Sequence, residues 1–440
     1  MFKRLIIILL ITTPLFAQEA TDLERRLRAL EEKIAQMQPS SDLAEIRRQI
    51  EILGSEIEAL KTRQTDKLVA ADTEQYGLGA AASKVYRVNQ GISFGGYGEM
   101  LYENFAGTND SDIRVSNRDQ FDMLRAILYT GYKYNDRVLF NSEIEYEHGS
   151  TGSGGEASVE FAYLDFLVRP DLGIRTGLVL IPMGLVNEQH EPTAYLGTKR
   201  PGVEGSIIPT TWREMGGGAF GEVGQLSWRA YIVNSLNGRN FTAGGVRGGR
   251  QKGARALSED FALTGRLDWQ PIVGTTVGTS FFSGNTGQGN MVAGEVLDAR
   301  YTVYDVHAET SFRGAMLRGL WTRGTIDDAA QLNALNSLTG NRSVGESLGG
   351  WYVEGGYDLA SLRGFRERSF TPYVRYEKLD TQRSVPAGFA RNPASRQTIF
   401  TYGLQFKPIP EAVIKADYQD VENDAGTGLN QWNIGIGYIF

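Results

Sequence analysis

The sequence predicts an all-β transmembrane barrel, a 16-stranded antiparallel up-and-down sheet closed on itself, preceded by an N-terminal α-helical coiled coil. Three observations predict it: an apolar leader at residues 1–17, heptad spacing between Leu23 and Leu60, and a change to a period of two that runs from Gly91 to Phe440. The first gives the compartment, the second an oligomerising arm, and the third a wall.

Lys3 and Arg4 precede the apolar stretch Leu5 to Ile11, and Leu15, Phe16 and Ala17 come just before Gln18. This is the pattern of a secretory signal peptide, residues 1–17, cleaved after Ala17. Its apolar stretch falls short of the ~20 residues of a spanning helix, and no later segment supplies such a run. A membrane form must then be a closed barrel, because an open sheet leaves backbone groups unpaired in hydrocarbon. Composition points the same way: among 440 residues there are 53 Gly, 20 Tyr and 20 Phe but only 13 Pro. Cysteine is absent, which excludes a disulfide framework and a thiolate metal site. Net charge is −7, or about −9 once Lys3 and Arg4 leave with the leader, and this argues against a nucleic-acid partner.

Residues 18–62 read as a coiled coil in two blocks. Leu23, Leu27, Leu30, Ile34 and Met37 form one seam; Pro39 interrupts it; Leu43, Ile46, Ile50, Leu53, Ile57 and Leu60 resume it. Glu, Arg and Lys flank both seams. The blocks fit either an intermolecular coil or a helical hairpin folded about Pro39. The seam does not specify the number of helices. Residues 63–90, with "GLGAAASK" in the middle, lose the heptad and read as a linker.

From residue 91 to 440 the period is two. Leu124, Ala126, Leu128, Tyr132 and Tyr134 lead to an Asn135-Asp136 turn, after which Val138, Phe140, Ile144 and Tyr146 alternate with Asn141, Glu143, Glu145 and Glu147. Charge on the lipid face is costly, so the carboxylates face water inside. Sixteen strands are expected, starting near residues 91, 121, 137, 157, 173, 216, 226, 259, 274, 298, 315, 349, 369, 397, 412 and 431. Alternation is weak near 315 and 349, where fourteen or eighteen strands also fit. Short connections alternate with long ones, as periplasmic turns alternate with external loops. The last segment, "NQWNIGIGYIF", carries Trp432, Ile434, Ile436, Tyr438 and Phe440 on one face and small or polar residues on the other.

Taken together, "GGYGEMLYENF" at the start of the wall, "LVLIPMGLVNEQ" after the fifth strand and "GLQFKPIPEAVIKADYQ" near the end resemble the phosphate-selective porin O/P superfamily, including its coiled-coil-bearing, dicarboxylate-type members. The resemblance implies a homotrimer of sixteen-stranded barrels, a third loop folded inward, and passage of small, often anionic solutes such as phosphate or dicarboxylates across the bacterial outer membrane. It also implies lipid and lipopolysaccharide as neighbours.

A sixteen-stranded barrel is too wide for side chains to fill. The long connection Gly184 to Met215 is then either an external loop or the constriction, and the resemblance favours the constriction, with Glu188, His190, Glu191, Lys199, Arg200 and Arg213 as candidates. Alternation turns Glu99, Arg125, Glu143, Glu145, Glu147, Arg175, Arg229, Arg266 and Arg375 toward the lumen, among other acids and bases, so the lining is mixed and slightly acidic. It shows no compact basic ladder of the phosphate-selective kind. A second basic cluster, Arg239, Arg247, Arg250, Lys252 and Arg255, reads chiefly as a solvated loop.

Enzyme signatures are weak. Gly345 to Gly349 fits G-x-S-x-G about Ser347 without the strand-turn-helix setting, and Gly216, Gly218 and Gly221 fit G-x-G-x-x-G with no helix to follow. No cofactor and no metal ligand set is specified. The expected function is a non-enzymatic outer-membrane porin. The alternative is a structural barrel whose coiled coil contacts peptidoglycan and tethers the membrane to the cell wall.

Overall fold

A computed structural model describes residues 75–152, 154–169, 171–363 and 367–440. The signal peptide and the coiled-coil seam lie outside the described residues. No described helix is long and apolar enough to cross a membrane.

Sixteen antiparallel strands close into one barrel. They are β1 (Gly91–Phe105), β2 (Gln120–Asn135), β3 (Val138–Glu147), β4 (Glu156–Arg169), β5 (Leu172–Leu180), β6 (Arg213–Val223), β7 (Leu226–Asn234) and β8 (Phe261–Ile272). Then come β9 (Thr275–Gly284), β10 (Tyr301–Phe312), β11 (Ala315–Ile326), β12 (Ser347–Tyr357), β13 (Ser369–Ser384), β14 (Arg396–Ile409), β15 (Ala412–Asn423) and β16 (Gln431–Ile439). No strand starts more than three residues from its expected position. The weakly alternating pair proves regular: β11 and β12 pair continuously from Ala315↔Tyr357 to Thr325↔Ser347. A small hairpin, Met291–Val292 with Glu295–Val296, stands apart from the wall.

The closing seam explains the terminal segment. β16 pairs with β15 on one side and with β1 on the other, from Tyr97↔Ile439 to Phe105↔Gln431. Phe440 and Gly96 exchange backbone hydrogen bonds of 2.9 and 3.0 Å, so the chain's last residue finishes the ladder. The sheet is thereby closed without a free edge.

The outer face is apolar and partly aromatic. Trp351, Tyr376, Phe400, Tyr402, Tyr418 and Trp432 form a lateral chain of ring contacts across β12 to β16, with centroids 4.8–6.4 Å apart. Such belts settle at the membrane interface, where an amphipathic ring meets both headgroups and acyl chains.

One irregularity shapes the inside. Between Glu143 and Ile144 of β3 the partner register on β4 skips a residue, a β-bulge that places Glu160. Strict alternation would send Glu160 to lipid; the bulge turns it inward beside Phe161, both fully buried, while Val159 faces out.

Substituting Leu404, which is exposed on the outer face of β14, by Arg is expected to lower barrel stability by about 2–4 kcal/mol if it lies near the bilayer midplane and by less toward either interface. Reversible urea unfolding in lipid vesicles measures this.

Candidate functional site in the lumen

The lumen is occupied by two pieces of chain. The connection between β5 and β6, residues 181–212, turns inward and crosses to the opposite wall. Its base is closed by Asn187, whose Nδ2 donates to the carbonyls of Ile181 (2.7 Å) and Trp212 (3.0 Å) while its Oδ1 accepts from the Trp212 amide (2.6 Å). The loop also carries its own apolar core. Ile181, Met183, Val186, Val203, Ile207, Ile208 and Trp212 are buried, and the Trp212 ring meets Phe282 of β9 at 4.4 Å. Burying those side chains is the force that draws the loop in rather than out.

On the far wall the loop's polar backbone is met by fixed charges. Lys415 of β15 donates to the carbonyls of Tyr195 and Gly197, each at 2.8 Å. The Thr198 amide and hydroxyl donate to Asp417 at 2.7 and 2.9 Å, and the Tyr195 hydroxyl donates to Glu99 at 2.6 Å. Arg375 of β13 holds the Lys199 carbonyl at 3.3 Å and is itself paired with Glu354 (3.1 Å) and Glu377 (2.8 Å). A short helix in the loop, α2 (Gly202–Ser206), presents Glu204 to the Tyr352 hydroxyl (2.6 Å) and the Val186 amide (2.8 Å). Burial raises the Glu204 carboxyl to about 7, with those two donors pulling the other way.

The second piece is Gln75 to Gln90, part of the stretch whose composition suggested a linker. It lies inside the barrel, with the short helix α1 (Lys84–Arg87) against β1 to β3. The Tyr86 hydroxyl donates to Asp165 at 2.6 Å and accepts from Arg175 at 2.8 Å, so it caps a bidentate Arg175–Asp165 pair. The small residues have a purpose. At Gly77 the Arg229 guanidinium occupies the space a Cβ would need, and at Gly79 a Cβ would stand 2.7 Å from the Glu191 carboxyl carbon. Glu191 in turn accepts the amides of Ala81 (2.9 Å) and Ala82 (3.1 Å), joining the two luminal pieces. Sequence periodicity missed this segment; Tyr76, Leu78, Val85 and Tyr86 among small residues were the available signal.

Of the wall residues expected to face inward, Glu99, Glu143, Glu145, Arg175, Arg229 and Arg375 are buried, and Arg125, Glu147 and Arg266 are partly exposed. Arg125 pairs with Glu99 at 3.2 Å and stands opposite Glu147. Arg229 and Arg266 share Asp268 at 3.1 and 2.7 Å, and His307 adds a 2.9 Å contact to the same carboxylate. Of the loop residues, Glu188 pairs with Arg229 at 3.3 Å, and Lys199 with Glu103. His190 Nε2 lies 3.2 Å from Glu143 and 3.3 Å from Glu160. Arg213 is not in the connection: it heads β6, where Glu160 (2.8 Å), Ser158 (2.9 Å) and the Val159 carbonyl (3.1 Å) saturate its guanidinium. Arg200 differs from these, because its Nε and Nη2 are buried without a hydrogen-bond partner.

The external basic cluster divides. Arg247 and Arg250, rather than lying in solvent, reach down to the loop: Arg250 donates to the carbonyls of Pro209 (3.1 Å), Thr210 (3.2 Å) and Thr211 (3.0 Å), and Arg247 to Thr210 and Gly205. Burial and then Arg200 lower the Arg247 guanidinium below its ordinary value; burial and then Arg247 lower Arg250 to about 9. Ser347 opens β12 and shares a 2.7 Å hydrogen bond with Ser384, and Gly216, Gly218 and Gly221 lie within β6.

Space remains on one side. A recess of about 170 Å³ lined by Gln189, Arg229, Arg266, Asp268 and Glu309 opens beside Tyr76 and Gly77, and Glu309 also borders a smaller one of about 30 Å³ with Arg318 and Glu354.

No family model matches the chain. An uncharacterised protein of Aquifex aeolicus (strain VF5) is 38% identical over 355 residues, covering 78% of each chain. This chain belongs to the same family. Among solved structures, Salmonella typhi OmpF in complex with daunomycin superposes with a TM-score of 0.52 at 13% identity, over 80% of this chain and 98% of that one. A loop L8 deletion mutant of OmpT, an outer membrane protein of Vibrio cholerae, gives 0.50 at 11% identity, over 80% and 100%. The likeness is one of fold, a porin-like outer-membrane channel fold.

Because the folded-state pKa of Glu204 is raised, its stabilising share is full below the unfolded value of ~4.3 and is lost as pH rises through about 7. The 181–212 loop is expected to resist protease better at pH 4.5 than at pH 8, with a difference on the order of 3 kcal/mol in loop opening. Glu204→Gln should reduce that pH dependence, which limited proteolysis across the range measures.

Proposed function

We propose that this chain is an outer-membrane porin, a passive diffusion channel for small hydrophilic solutes, narrowed by residues 181–212 and 75–90, with anions as its preferred cargo. The observation that carries it is a closed wall of sixteen strands, wide enough to hold two inserted segments and charged around its whole inner circumference. The remaining space beside β7 to β12, between the inserted chain and Arg229, Arg266 and Arg318, is the proposed route on the periplasmic side.

Anion preference rests on two guanidinium groups at the loop, those of Arg200 and Arg247. Arg200 offers a guanidinium edge that no protein group satisfies, and Arg247 stands near enough to be destabilised by it. A phosphate or dicarboxylate would relieve both, since a divalent anion supplies oxygens for two guanidinium forks. The resemblance to phosphate-selective and dicarboxylate-type porins supports the same class. Glu188, His190, Glu191, Lys199 and Arg200 remain the proposed constriction residues; Arg213 is spent on Glu160 and is proposed as a strut. The resemblance implies a homotrimer, in which the heptad seams would associate, with lipid and lipopolysaccharide around it.

A second reading has its own observation. Glu143, Asp305, Glu354, Arg375 and Asp417 are at most 1% exposed although they line the lumen, as in a barrel stoppered by its own chain. On that reading the protein is structural, and the coiled coil contacts peptidoglycan.

Purified protein in planar bilayers is expected to give single-channel steps, and a membrane that stays silent would favour the structural barrel. In a salt gradient, Lys199→Gln combined with Arg200→Gln should move the reversal potential toward cations. A tenfold loss of anion preference corresponds to about 1.4 kcal/mol. An unmoved potential removes both residues from the constriction.

A further inference from the structure

We propose that His190, Glu143 and Glu160 form a binding site for a divalent transition-metal ion that fastens the 181–212 loop to the barrel wall. The three side chains come from the loop, from β3 and from the β4 bulge. Their ligand atoms all lie within 4.8 Å of one another. The separations from His190 Nε2, 3.2 Å to Glu143 Oε1 and 3.3 Å to Glu160 Oε2, match the edges of a coordination shell, because bonds of ~2.1 Å place neighbouring ligands ~3.0 to 3.4 Å apart in octahedral and tetrahedral geometry.

Hydrogen bonding alone leaves this cluster incomplete. His190 Nδ1 is 2.9 Å from the Asn187 carbonyl oxygen, which can only accept, so Nδ1 carries a proton. Nε2 then faces two carboxylates, and one N–H can be directed at only one of them. Glu143 Oε2 and Glu160 Oε2 are buried without a hydrogen-bond partner. A third carboxylate adds an independent indication. Glu145, two residues along the same face of β3, is 2% exposed and lies within hydrogen-bond reach of Glu160; its Oε1 is buried without a hydrogen bond, and Arg125 approaches it only at 3.9 Å.

A divalent ion resolves all of these at once. It accepts the Nε2 lone pair, takes one oxygen each from Glu143 and Glu160, and leaves a coordination position toward Glu145. Arg213 already holds Glu160 Oε1 at 2.8 Å, which fixes that carboxylate with Oε2 toward the site. The Nδ1–H to Asn187 contact orients the ring, as a carbonyl hydrogen-bonded to the far nitrogen of a metal-bound histidine does. Charge balances too: three carboxylates face one divalent ion and one Arg213. An imidazole nitrogen with carboxylate oxygens suits zinc, and ions such as manganese or iron also take this set.

The probe is zinc chloride. The full chain, refolded into detergent with excess zinc and then desalted, is expected to retain about one zinc per chain by elemental analysis. Affinity should fall at least tenfold in His190→Ala and in the isosteric Glu143→Gln. Anomalous diffraction at the zinc edge should place the ion between the three side chains. If His190→Ala does not fold, Glu143→Gln decides alone. Wild-type protein that retains no zinc, or variants that retain as much as wild type, would overturn the site and leave a histidine-carboxylate hydrogen-bond cluster in its place.

Discussion

Closure of the backbone ladder is the constraint on which the rest of the molecule depends. Hydrocarbon offers no partner to an amide or a carbonyl, so a sheet in a bilayer must end where it began. In this chain that requirement falls on the pairing of β16 with β1 and on the reciprocal bonds between Phe440 and Gly96. The width of the barrel follows from the number of strands, and the width in turn creates an interior that wall side chains cannot fill. The inserted loop and the amino-terminal segment answer a problem set by the wall.

Inside, the governing balance is desolvation against pairing. Taking Arg375, Asp417 or Asp268 out of water is unfavourable unless each gains partners of good geometry. The wall supplies some, as in Arg229 and Arg266 on Asp268. The inserted chain supplies many of the others, through loop carbonyls on Lys415 and Arg375 and through Tyr86 on Asp165. Wall and filling are therefore electrically complementary, and each accounts for the composition of the other.

The wall was legible in the sequence because two different solvents impose a period of two. Glu143, Glu145 and Glu147 beside Ile144 and Tyr146 can be satisfied in only one orientation. Three features were not legible, each for a physical reason. The bulge at Glu160 breaks the period at a single residue, and alternation alone assigns that carboxylate to lipid. Residues 75–90 owe their place to small size, which lets Arg229 and Glu191 approach the backbone, and smallness carries no period. Arg247 and Arg250 look like a solvated charge run until the carbonyls of 209–211 are brought beneath them. The inward loop lies between: its length was visible, but its anchors on β13 and β15 come from more than 170 residues away.

The hydrogen bonds that the Ala81 and Ala82 amides donate to Glu191 couple the 75–90 segment to the 181–212 loop. A disturbance of residues 75–90 therefore bears on the 181–212 loop through Glu191 and not on the wall alone.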